Sequence, residues 1–219
     1  MVTRESFENS LRELQDKLTE MTKLATEQLE SSFVALQKQD VELALEVIDG
    51  DTAIDLIDED INNFVIWLIA KEQPVARDLR RIIGALKISA EIERVADFAV
   101  NIAKATIRIG KDEKVMSIDN MIKMKDISLK MLHLAFQSFT EENIKLARQV
   151  AELDDEVDNL YGINAKNIAK HLIENPESMN QLTQLLFINR HLERTADHVT
   201  NIAESAAYLI KGRKYDLNT

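Results

Sequence analysis

Four pairs of acidic residues offer this sequence's clearest chemistry: Asp51/Asp55, Glu93/Asp97, Asp154/Asp158 and Glu193/Asp197, each spaced by four positions. On a helix that spacing sets both carboxylates on one face, about 5–6 Å apart at Cβ, where like charges repel by a few tenths of a kcal/mol. A cation reverses that penalty. Ligand sets made of oxygen alone suit hard cations such as Mg²⁺, Mn²⁺ or ferric iron. Eight acid pairs at this spacing occur along the chain, about as many as 38 scattered acids would give, so no single pair is informative.

Duplication makes the pairs informative. The run Glu93-Arg94-Val95-Ala96-Asp97-Phe98-Ala99-Val100-Asn101-Ile102-Ala103 recurs 100 positions later as Glu193-Arg194-Thr195-Ala196-Asp197-His198-Val199-Thr200-Asn201-Ile202-Ala203, with seven of eleven residues identical. Asp51 and Asp55 are echoed by Asp154 and Asp158 at an offset of 103. Neighbouring positions have drifted, Val95 to Thr195 and Phe98 to His198, while all four acid pairs persist. The chain is therefore read as an internal repeat with an acidic site in each half.

Asn101 and Asn201 lie one turn beyond these pairs and are candidate second-layer groups, able to bond a metal-bound water. Four histidines, His133, His171, His191 and His198, raise the thought of a di-iron carboxylate site. That class uses Glu-x-x-His pairs, and no histidine here follows an acid by three residues. They are expected on the surface. Arg77, Arg80 and Arg81 form the one dense basic cluster, a candidate partner-binding patch whose plainer role is pairing with acids on a neighbouring helix.

Helices must position all of this. Phe7, Leu11, Leu14, Leu18, Met21 and Ala25 step by four and three, the apolar seam of a helix packed against others. The spacing predicts helices over about 4–39, 41–71 with a kink at Gly50, and from Pro74 to near Gly110. The second half repeats the plan: 118–139, a helix capped by Thr140 and running to 173, and a last helix opened by Asn175-Pro176 and closed at Gly212. Lys111–Ser117 reads as a linker and Arg213–Thr219 as a frayed tail. The expected fold is all-α, two tandem three-helix bundles, residues 1–110 and 111–219.

Composition agrees. The chain holds 5 Gly and 2 Pro in 219 residues, about 3% against roughly 12% in ordinary proteins, too few for the turns of a sandwich or barrel. There is no cysteine for a disulfide or a thiolate metal site. The longest apolar run, Phe64 to Ala70, has seven residues, whereas a bilayer span needs about 20, so membrane insertion is not expected. MVTRESFENS lacks a signal-peptide core, and a cytoplasmic location is expected. A net charge of −11 repels phosphate backbones and argues against nucleic acid as a partner. No P-loop, GxGxxG or Ser/His/Asp set is present, and no catalytic set is found.

The paired ExxxD and DxxxD motifs, the tandem repeat, and the runs PVARDLRRIIGALKISAEIERVAD and LLFINRHLERTADHVTNIAE resemble the PhoU family over essentially the whole chain. The resemblance implies two three-helix bundles, often dimeric, carrying multinuclear metal clusters on the acidic motifs. The ligands would be Asp51, Asp55, Glu93 and Asp97 in one half, and Asp154, Asp158, Glu193 and Asp197 in the other. Iron is the favoured ion on this ground, with manganese, magnesium or zinc as alternatives. It further implies a non-enzymatic negative regulator of the phosphate-starvation response, contacting the ATPase subunit of the phosphate importer and the phosphate-sensing histidine kinase. Two rival readings stand beside it: a carboxylate-bridged metalloenzyme and a metal-free helical scaffold.

Overall fold

The computed structural model describes residues 2–111 and 116–213, residues 2–4 by their backbone alone. The linker at 112–115 and the tail at 214–219 lie outside the described residues. Six long helices follow one another: α1 (Val2–Lys38), α2 (Val41–Glu72), α3 (Ala76–Ile109), α4 (Asp119–Thr140), α5 (Ile144–Glu174) and α6 (Met179–Lys211). There is no strand among the described residues. The α1 seam behaves as its spacing predicts, with Leu14, Leu18, Met21, Ala25, Leu29, Phe33 and Leu36 all buried.

Helix boundaries follow local chemistry. Asp40 caps α2, its carboxylate accepting from the Leu43 N–H at 3.1 Å. Thr140 does not cap α5; it is the last residue of α4, and Asn143 takes that role by accepting from the Lys145 N–H at 3.1 Å. Asn175-Pro176 opens a 3₁₀ turn over Pro176–Ser178, and α6 begins after it. Gly50 lies inside α2, which is helical without a break from Val41 to Glu72. Gly110 and Gly212 end α3 and α6 with φ of 70° and 68°, a conformation that suits glycine.

α1, α2 and α3 pack on one another, as do α4, α5 and α6; the two bundles join along α3 and α6, with α1 meeting α4. A continuous apolar core runs through both, from Leu18, Ile61 and Ile88 to Met124, Leu132 and Leu192. Each such side chain contributes about 1.5–3 kcal/mol on burial. Gly84 permits close approach at the junction: a Cβ there would meet the Phe139 ring at 3.2 Å.

α3 and α6 run antiparallel. His198 on α6 meets Glu91 on α3, Nδ1 to Oε2 2.7 Å, and His191 stacks on Phe98 with centroids 5.7 Å apart. These two contacts exchange positions 91/191 and 98/198, so the sequence repeat is also a two-fold relation in space. Farther along, the Asn180 amide donates to the Arg108 carbonyl at 3.0 Å. Two of the four histidines expected on the surface, His191 and His198, thus line the bundle interface, while His133 is exposed.

Candidate metal centre

In each bundle two neighbouring helices carry one acid pair apiece. Asp51 and Asp55 on α2 interact with Asp97 and Glu93 on α3: Asp51 feels the charges of Asp55 and Asp97, and Glu93 those of Asp97, Asp55 and Asp58. In the second bundle Asp154 on α5 feels Asp158 and Asp197, and Glu193 on α6 feels Asp197 and Asp158. The register is the same in both halves. All eight acids predicted from spacing fall into these two acidic seams.

Burial bears hardest on one of the eight carboxylates, Asp154. Asp154 is 6% exposed, and its Oδ1 is buried without a hydrogen-bond partner. Burial pushes its carboxyl up to about 6, with the Asp158 and Asp197 charges pushing the same way; the neighbouring Thr200 hydroxyl pulls against them but stands outside hydrogen-bond geometry, so Asp154 Oδ1 and Thr200 Oγ1 both lack a partner. Burial likewise raises Asp51, Glu93, Asp158 and Glu193 from their ordinary values. Glu193 has a second orphaned buried oxygen, Oε2.

Some of that charge is met from within the chain. Gln28 on α1 donates one amide to the Val47 carbonyl at 3.0 Å and to Asp51 Oδ1 at 3.3 Å. Arg94 bridges its own pair, Nη1 to Asp97 Oδ2 at 2.7 Å and Nε to Glu93 Oε2 at 3.3 Å. Arg190 holds Glu193 Oε1 at 2.6 Å. Sequence spacing pointed to none of Gln28, Arg94 or Arg190 as part of the sites; the i, i+3 arginine–acid spacing is the signal that could have found the last two. Asn201 bonds Glu91 across the bundle interface at 3.2 Å rather than any of the four acids.

Two of the three clustered arginines are engaged inside the molecule. Arg77 pairs with Glu142 of the α4–α5 turn, and Arg81 donates to Gln15 of α1 at 3.0 Å. Arg80 lies beside Gly212, where a guanidinium suits the partial negative charge of the α6 C-terminus.

Among the described residues no three acidic or histidine side chains are already gathered around one point. The donor chemistry nevertheless fits a hard cation: oxygen-only groups, several at raised pKa, with orphaned buried oxygens at Asp154 and Glu193. No helix among the described residues is long and apolar enough to cross a membrane.

Two antiparallel three-helix units, each with an acidic seam between its second and third helices, define a tandem helical-repeat protein. The PhoU domain profile matches residues 18–106 and 121–206, one match per repeat. The phosphate-specific transport system accessory protein PhoU homolog of Clostridium acetobutylicum is 38% identical over 218 residues, 99% of this chain and 100% of that protein. The Aquifex aeolicus homolog is 39% identical, covering 92% and 91%. The crystal structure of the phosphate transport system regulatory protein PhoU from Streptococcus pneumoniae superposes with a TM-score of 0.89 at 30% identity, covering 96% of this chain and 99% of that one. The chain belongs to the PhoU family. Relatives bearing that name are accessory and regulatory proteins, not enzymes, and the chain is of that kind.

Proposed function

We propose that the chain is a metal-binding regulatory adaptor of phosphate uptake. In this reading it is a cytoplasmic negative regulator of the phosphate-starvation response that contacts the importer's ATPase subunit and the phosphate-sensing histidine kinase, as a homodimer. Its family membership supports the link to phosphate transport. The observation that carries the metal reading is the doubled acidic seam with its orphaned oxygens at Asp154 and Glu193.

Asp51, Asp55, Glu93 and Asp97 would hold ions in one bundle, and Asp154, Asp158, Glu193 and Asp197 in the other. A hard cation bound there would supply the positive charge that these helices lack. Iron is the favoured ion, with manganese, magnesium or zinc as alternatives. The chain's own part is to hold four carboxylates on two rigid helices, so that filling a seam fixes α2 against α3 or α5 against α6. Partner choice would then follow from which conformation is populated. A second reading, a metal-free scaffold, draws on Arg94 and Arg190 as internal counter-charges.

Elemental analysis of protein purified without a histidine tag separates the two readings. Stoichiometric metal, lost in D154N and D197N, is expected. Metal-free protein whose thermal midpoint ignores a chelator would favour the scaffold. Pull-down with the importer ATPase and the kinase tests the adaptor role, and failure of both with metal present would count against it.

A further inference from the structure

The repeats are nearly identical where they carry Glu-Arg-x-Ala-Asp, yet the two arginines do different things. Arg94 spans both acids of its own pair, Glu93 and Asp97. Its counterpart Arg194 instead lies over the Phe98 ring, 4.8 Å from the centroid. The two-fold relation sets residue 198 opposite Arg94, and there the aromatic Phe98 of the other repeat is replaced by a histidine that bonds Glu91. Arg94 meets the carboxylates instead.

The second seam is left with less internal cation. Arg190, which stands where the first repeat has Ala90, takes one oxygen of Glu193. The other oxygen, Glu193 Oε2, and the buried Asp154 Oδ1 have no hydrogen-bond partner. An ion entering the α2/α3 seam, where Asp58 Oδ1 is also buried without a partner, must break two arginine contacts; an ion entering the α5/α6 seam must break one, and there an orphaned oxygen belongs to Asp154, only 6% exposed.

Building on the metal-binding reading above, we propose that the two seams are unequal by construction. Arg94 is a resident cation of the α2/α3 seam, so an added ion fills the α5/α6 seam first and must displace Arg94 to enter the other. Phe98 sets this order by keeping Arg194 off the second seam. The chain therefore loads in two steps rather than one.

Titration of the metal-stripped full chain with Mn²⁺, following free ion by its aqueous paramagnetic resonance signal, tests the order. Two affinity classes are expected. D154N, nearly isosteric, should weaken the tighter class at least tenfold and leave the other. R94A alters a side chain that is 55% exposed, so the core is untouched, and it should tighten the weaker class about twofold to fivefold. F98L keeps apolar bulk but removes the ring face, and should weaken the tighter class by freeing Arg194. Circular dichroism checks that each variant folds. Sites of equal affinity in the parent, or a weaker class unmoved by R94A, would overturn the proposal while leaving metal binding intact. A parent chain that binds no Mn²⁺ or iron would sink the metal reading and this order with it.

Discussion

Glu91 and His198 join the two bundles through a 2.7 Å contact between α3 and α6, and the Asn201 amide shares the same carboxylate oxygen at 3.2 Å. The repeat-related place holds Phe98 stacked on His191. One interface thus carries a polar version and an aromatic version of the same contact. The polar version should be separable by a double-mutant cycle. E91Q and H198A are each expected to lower the thermal midpoint by a few degrees, with a coupling energy of about 0.5–1.5 kcal/mol. A coupling near zero would mean the contact contributes nothing to docking the bundles.

The Asp154 carboxyl governs a pH dependence whose sign can be worked out. Its folded pKa lies at about 6 against an ordinary 3.8. An acid with a raised folded pKa binds its proton more tightly when folded, so its cost is complete above pH 6 and vanishes below the unfolded value. In metal-free protein, D154N should therefore raise the thermal midpoint by a few degrees at pH 8. The gain should shrink as pH falls from 6 towards 4. Melts of both proteins across that range check it, and a gain independent of pH would contradict it.

Metal loading should stabilise the fold. An ion present at 100 times its dissociation constant contributes about 2.7 kcal/mol per site. Scanning calorimetry with Mn²⁺ is expected to raise the midpoint by several degrees, and a chelator should reverse it. The rise should be smaller in D154N and in D197N.

A buried amide pair distinguishes the second bundle. Asn164 donates to Asn189 at 2.9 Å, and Asn189 donates to the Tyr161 carbonyl at 3.1 Å. Both residues are buried, and their counterparts in the first bundle are the buried Ile61 and Ser89. N164I alone strands the Asn189 acceptor and should cost about 1–3 kcal/mol. N164I/N189S restores the pairing that the first bundle already uses and should recover much of the loss. Denaturant melts of the three proteins measure both effects.

The helical architecture was legible because apolar spacing is a direct record of which face packs, as the α1 seam from Leu14 to Leu36 illustrates. The eight acids stood out in the sequence because they recur in both repeats, and the fold sets the two pairs of each repeat within reach of one another's charge. Helix ends were less so. Thr140 and Asn143 are both good capping residues, and only the geometry of the α4–α5 turn decides that Asn143 meets a free N–H. Interface residues escaped for a different reason. His191 and His198 look like surface residues until α3 and α6 are laid antiparallel. Arg94 and Arg194 stand in the same local sequence, yet Arg194 lies over Phe98 of the opposite helix while Arg94 meets its own acids.

The antiparallel crossing of α3 and α6 has a practical reach. A homodimer forces any substitution into both copies at once, whereas this fold writes its two copies in one chain. Altering position 97 or 197 alone thus makes a half-dose experiment, with the untouched repeat as the control under the same solvent, in the same tube.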